Sequence, residues 1–160
     1  MAQPNFEVAV FLACRSVQTE GVQGPDSLFR QSYTLEGVSY VYHIDALQGI
    51  PYSVEELWLY LRLTRTNQVA GTRELGLKVL CILDDGKRVN IKPGKILKIG
   101  TVSLPKSSPV VSVVKPIRQL EVPRTGRFEL RLYKRLARPN WRGKQWSRVA
   151  SHFLAVEYQS

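Results

Sequence analysis

Two histidines, two cysteines and one pair of neighbouring aspartates are the side chains with the best claim to catalysis or metal binding. Their spacing supports neither. His43 sits in the run SYVYHI and His152 in SHFLAV. A metal site asks for several His, Cys or carboxylate groups at ligand spacing, and neither histidine has such neighbours, so both read as strand residues that only the tertiary fold could bring together. Cys14 ends VFLAC and Cys81 lies inside LKVLCIL. Both read as reduced, buried thiols acting as small hydrophobes, since an activated thiolate needs a polar, electropositive and partly open setting. No serine occupies a G-x-S-x-G elbow. Asp84-Asp85 is followed at once by Gly86, Lys87 and Arg88. The cations oppose calcium, and Asp-Gly between two apolar runs is a hairpin signal. Lys92-Pro93-Gly94-Lys95 lacks the spacing and the strand-to-helix context of a phosphate loop. The expectation is a chain without catalytic set, metal or cofactor.

Charge is the stronger signal. The chain carries 23 Lys+Arg against 13 Asp+Glu, a formal net charge of +10. Such a field attracts polyanions and acidic partners. It is also uneven, with Arg124, Arg127, Arg131, Lys134, Arg135, Arg138, Arg142, Lys144 and Arg148 set against only Glu129 and Glu157. Arg131, Tyr133, Arg135, Arg138, Trp141, Arg142, Lys144 and Arg148, with Trp146 among them, mix cations with flat rings. Single-stranded nucleic acids are bound by that mixture, cations tracking phosphates and rings stacking on bases. The plainer reading is a solvated sheet face whose Arg stems cover the rings. Trp58, Tyr60 and Arg62 form a second candidate, because aromatic residues and Arg are enriched at interface hot spots.

The elements that must carry these residues are strands. Apolar and polar positions alternate, and turn residues recur every ten or so positions. Leu57, Leu59, Leu61 and Leu63 share one face of a segment over 55–66, with Glu56, Trp58, Tyr60 and Arg62 on the other. A period of two is what a pleated strand demands. Leu75, Leu77, Val79, Cys81 and Leu83 repeat the pattern up to the Asp-Gly hairpin, and the return strand is interrupted at Pro93-Gly94. Strands are also expected at 7–14, 33–44 with a kink at Gly37, 110–117, 128–133 and 145–157. Residues 16–27 read as a polar loop, 123–126 as a turn, and 54–58 as room for one short helical turn. The expectation is a single all-β domain over 1–160, residues 1–6 forming a tail. Its fold would be a two-sheet antiparallel β-sandwich of about eight or nine strands.

The order of these segments resembles a bacterial family of small β-sandwich domains of unknown function. The motifs are VAVFLAC, the hairpin YTLEGVSY and Ile50-Pro51 leading into the Leu57–Leu63 strand. They continue with Asp84-Asp85-Gly86 and a Pro-x-x-Gly-x-Phe-x-Leu-x-Leu-Tyr strand over 123–133. The resemblance runs from Val8 to about Val156 and implies the fold alone. The loop at 16–27 and the Arg-Trp-rich C-terminal hairpin depart from it.

Function is expected to be non-enzymatic: protein interaction or self-association through aromatic and basic strand faces. The alternative is nucleic-acid (polyanion) binding through the C-terminal hairpin. A pocket between the sheets serving an enzyme or small-ligand binder would need His43 and His152 to converge. No run reaches the ~18 apolar residues of a membrane helix, and no secretory leader pattern is seen at Met1–Asn5. Both absences favour the cytoplasm and no membrane partner.

Overall fold

A computed structural model describes residues 4–23, 29–36, 38, 40–45, 47, 49–54, 57–91, 95–118, 120–137 and 145–159, with the backbone alone for 20–23 and 29–32. The described residues are nearly all β, in several sheets and without an α-helix. Thirteen strands run in order: β1 (Phe6–Cys14), β2 (Ser16–Gln23), β3 (Phe29–Glu36), β4 (Val41–Ile44), β5 (Tyr52–Ser53), β6 (Leu57–Arg65) and β7 (Gly71–Ile82). Then come β8 (Arg88–Asn90), β9 (Leu97–Leu104), β10 (Val110–Ile117), β11 (Glu121–Val122), β12 (Gly126–Leu136) and β13 (Ser147–Tyr158).

The leucine alternation places β6 at the centre of a three-stranded antiparallel sheet, order β1-β6-β10. Leu59, Leu61 and Leu63 are fully buried, while Trp58 and Tyr60 are half-buried and Arg62 is exposed on the other face. A six-stranded sheet holds β4-β13-β12-β7-β8, with β9 also paired to β7. Its inner face supplies Leu75, Leu77, Val79 and Cys81 from β7, Phe128, Leu130 and Leu132 from β12, and Leu154 and Val156 from β13. These pack with the β6 leucines in two apolar clusters. Removing each such side chain from water contributes roughly 1.5–3 kcal/mol, so the core positions everything outside it.

Several expectations change on contact with the structure. The segment 16–27 is not a loop along its whole length: Ser16–Gln23 pairs antiparallel with Phe29–Glu36 as a hairpin. A polar composition does not forbid a ladder that satisfies its own backbone. The segment 33–44 is two strands, β3 and β4, with Gly37 outside the described residues. Short β5 and β11 pair with each other, a contact invisible in two-residue runs, and the strand count accordingly exceeds nine. Pairing is not wholly antiparallel: β4 lies parallel to β13. No hairpin joins those two strands, so no short connection enforces opposite directions. The helical turn at 54–58 falls partly on residues 55 and 56, outside the described residues; Leu57 already starts β6.

The Asp-Gly turn and the interrupted return strand stand as read, whereas the end of the expected N-terminal tail is packed. Gly86 has φ +82° at the tip of the Asp-Gly turn, its N–H donating to Leu83 O at 2.9 Å. The return strand is split into β8 and β9, both held by β7. Pro4, Asn5 and Phe6, set down as tail, are packed. Arg73 Nε donates to Pro4 O at 2.7 Å, Lys134 Nζ donates to Phe6 O at 3.0 Å, and Phe6 is buried.

Candidate functional site

Alternation along β12 turns Phe128, Leu130 and Leu132 inward, which leaves Glu129, Arg131, Tyr133 and Arg135 on the outer face. The expected cations are there, but they are not free. Glu129 is buried and sits between two guanidiniums. Its Oε2 accepts Arg88 Nε from β8 at 2.6 Å and Arg131 Nη2 at 3.1 Å, and its Oε1 accepts Ser151 Oγ at 3.2 Å. Burial would push the Glu129 carboxyl up. The hydrogen bonds and charge of Arg131 and Arg88, with Ser151, outweigh burial and hold its pKa at about 2. The Arg88–Glu129 bridge spans β7, and Leu80, which pairs with Glu129 in register, lies beneath it at 4% exposure.

The second clamp repeats the design six residues along the β7–β12 ladder. Glu74 on β7 accepts Lys98 Nζ from β9 at 2.9 Å on Oε1 and Arg135 Nε from β12 on Oε2. Hydrogen bonds from Lys98 and then Arg135 lower the Glu74 pKa. The Arg135 guanidinium also lies 4.1 Å from the centre of the Trp146 ring, a cation–π contact. Trp146 and Ile96 settle over Gly76, where a Cβ would meet Ile96 Cγ2 at 2.5 Å and Trp146 Cζ3 at 2.9 Å. Each clamp thus neutralises one cation and retains the charge of the other.

Of the remaining members of the C-terminal candidate set, two are described and adjacent. Tyr133 is half-buried, and Arg148 pairs with it across β12 and β13 and is exposed. Arg138, Trp141, Arg142 and Lys144 lie outside the described residues. Sequence reasoning missed Lys134, whose ammonium is 4.8 Å from the Phe6 ring centre and whose pKa is lowered first by burial. It also missed Glu74 and Glu129 as the centres of two separate clamps; the nearest signal was a few acids embedded among many cations.

On β6, the second candidate set divides. Tyr60 shares a hydrogen bond of 3.2 Å with Ser112 and meets the Tyr33 ring edge-on at 6.0 Å, so β3 partly covers it. The backbone carbonyl of Trp58 accepts the Cys14 thiol at 3.7 Å. Arg62 is exposed and opens onto a groove.

A further recess of about 510 Å³ lies beside β8, walled by Ile50, Pro51, Leu83, Val89, Ile91 and Pro123, with Arg124 and Glu121 at hand. Ile50 and Val89 are 39% and 45% exposed. Arg124 stands 3.8 Å from Asp84. Cys81, which also lines the recess, and Cys14 are free and buried, and burial raises both thiols.

The histidines do not converge. His152 is buried on the core side of β13, between Phe11 at 5.7 Å and Tyr40 at 5.3 Å, whereas His43 is on the exposed side of β4. Among the described residues no three His, Cys, Asp or Glu side chains gather as a metal site would require. No helix is long and apolar enough to cross a membrane.

No protein-family model matches the chain. No curated protein matches its sequence. Among solved structures, the crystal structure of beta-D-glucoside glucohydrolase from Trichoderma reesei is similar over 98% of this chain and 19% of that one, with 11% sequence identity and a TM-score of 0.47. The chain therefore spans less than a fifth of that protein, and a likeness this distant carries no inference about activity.

Proposed function

We propose that this chain is a non-enzymatic interaction domain, two sheets packed as a sandwich, that receives an apolar segment of a protein partner in the recess beside β8. The recess carries this reading. Its walls are apolar, its volume of about 510 Å³ falls in the range of specific sites, and Ile50 and Val89 present uncovered hydrocarbon at its rim. Among the described residues β8 ends its sheet, an edge that suits pairing with an extended segment. A foreign partner fits better than a second copy, because two chains of formal charge +10 repel. The sandwich reading is supported by the β6 leucines sharing clusters with β7, β12 and β13. A reducing, cytoplasmic setting fits the free Cys14 and Cys81.

The test is selection of displayed peptides on the intact chain, followed by binding to Val89→Asp and Ile50→Asp. Peptides with an apolar anchor should bind the parent at least about tenfold more tightly than either variant. Failure to select any peptide, or equal binding to the variants, overturns the reading. Light scattering should report a monomer.

Polyanion binding through β12 and β13 is the second reading. It is favoured by the surplus cation in each clamp and by exposed Arg148. It calls for oligonucleotide affinity that falls steeply with salt and weakens in Arg131→Ala and Arg148→Ala; no binding at low salt rejects it.

A further inference from the structure

We propose that the groove beside Arg62 is a binding site for a hydroxylated ring bearing one oxyanion, the chemistry of an acidic saccharide. The groove, of about 950 Å³, runs where the outer faces of β6 and β10 approach β7 and β9, and it is separate from the recess beside β8. Arg62 stands at mid-strand on β6, opposite Ser112 of β10. Arg88, Arg131, Arg135, Arg65 and Arg73 are each held by a carboxylate or a backbone carbonyl. Among the described residues Arg62 has no such partner, although it lines a concave surface. The lining holds no carboxylate among the described residues.

The other polar side chains among the described lining are hydroxyls and one phenol, set beside Ala70, Leu104, Pro105, Val110 and Val111. Thr72 and Ser103 are direct cross-strand partners, both exposed, and Ser112 and Tyr33 complete the polar wall. A hydroxyl both donates and accepts, which suits ligand hydroxyls. A guanidinium offers a planar fork to a carboxylate or phosphate. A single cation suits a single oxyanion; a nucleic-acid backbone would call for a row of them. The far wall is fixed beforehand. Arg65 donates from its backbone N–H to Pro109 O at 2.9 Å and from Nη1 to Pro105 O, and Ser108 Oγ donates to Val110 O at 2.6 Å. A wall held by its own hydrogen bonds presents its surface without ordering cost at binding.

The experiment is an NMR titration of the whole chain, at constant ionic strength, with glucuronate, glucose 6-phosphate and glucose. Glucuronate or glucose 6-phosphate should shift the Thr72, Ser103 and Ser112 amides saturably, and the tighter of the two identifies the oxyanion. Glucose should bind at least about tenfold more weakly, and Arg62→Gln should lose about tenfold, for want of the charged fork. Arg62 is exposed and has no partner among the described residues, so Arg62→Gln should melt as the parent does. Arg148→Gln, away from the groove, should leave the titration unchanged. Three results overturn the site: no saturable shift up to about 20 mM, glucose binding as well as the anions, or equal loss in Arg148→Gln.

Discussion

Arg88 reaches across β7 to Glu129, its Nε 2.6 Å from a carboxylate oxygen that water scarcely touches. The edge strand β8 is thereby tied to β12 through side chains as well as through the ladder of β7.

That tie makes stability acid-sensitive. The Glu129 carboxyl has a folded pKa of about 2 against an ordinary 4.5, so its contribution is complete above pH 4.5 and is lost as pH falls from 4.5 toward 2. The shift corresponds to about 3 kcal/mol at most. Chemical denaturation across pH 2–7 should show this slope, and Glu129→Gln should flatten it while costing about 1–3 kcal/mol near neutrality. Retention of the full slope in Glu129→Gln would rule out Glu129 as its source.

His152 acts in the same direction at higher pH. Burial lowers its pKa below 6.5, and among the described residues Nε2 has no hydrogen-bond partner. The unfolded chain takes up the proton first, so stability is complete above pH 6.5 and declines as pH drops below it. His152→Phe should remove that decline and preserve stacking with Tyr40, whereas exposed His43→Gln should leave it in place. Unfolding midpoints at pH 5.5 and 8 measure both.

Gly76 leaves room for Trp146 and Ile96 on the outer face. Gly76→Ala should push the indole off its seat and loosen the Arg135 stack, at a cost of about 1–3 kcal/mol. A red shift in tryptophan emission reports the movement; unchanged emission and midpoint would contradict it.

Leu61 is fully buried in one apolar cluster with Phe6, Leu63, Leu75 and Leu132. Leu61→Ala should destabilise by about 2–5 kcal/mol through lost transfer energy and the cavity left behind, read by denaturant midpoint at unchanged m-value.

Alternation made the core legible: the four leucines of β6 and the odd-numbered residues of β7 fall where the period of two puts them. The Asp-Gly turn was equally plain, because its backbone requirement is local. Contacts between distant residues were not. Glu129 is 41 residues from Arg88, and nothing in either neighbourhood announces the other. Arg131 and Arg135 face outward as the pattern says, yet sequence alone made them look available, since a tally of charge sees no pairing. The hairpin β2–β3 went unread because the sequence over 16–27 is polar with glycines and a Pro-Asp pair, and carries none of the apolar rhythm that marks a core strand.

The placement of β13 sets a schedule for biogenesis. It is the last strand in the chain, yet it lies between β4 and β12, and residues 45–146 intervene before β4 can meet it. As the polypeptide leaves the ribosome, β4 emerges about a hundred residues ahead of the strand it pairs with among the described residues. Closure of the large sheet is therefore a late, long-range event, the kind of topology that slows folding and favours help from a chaperone.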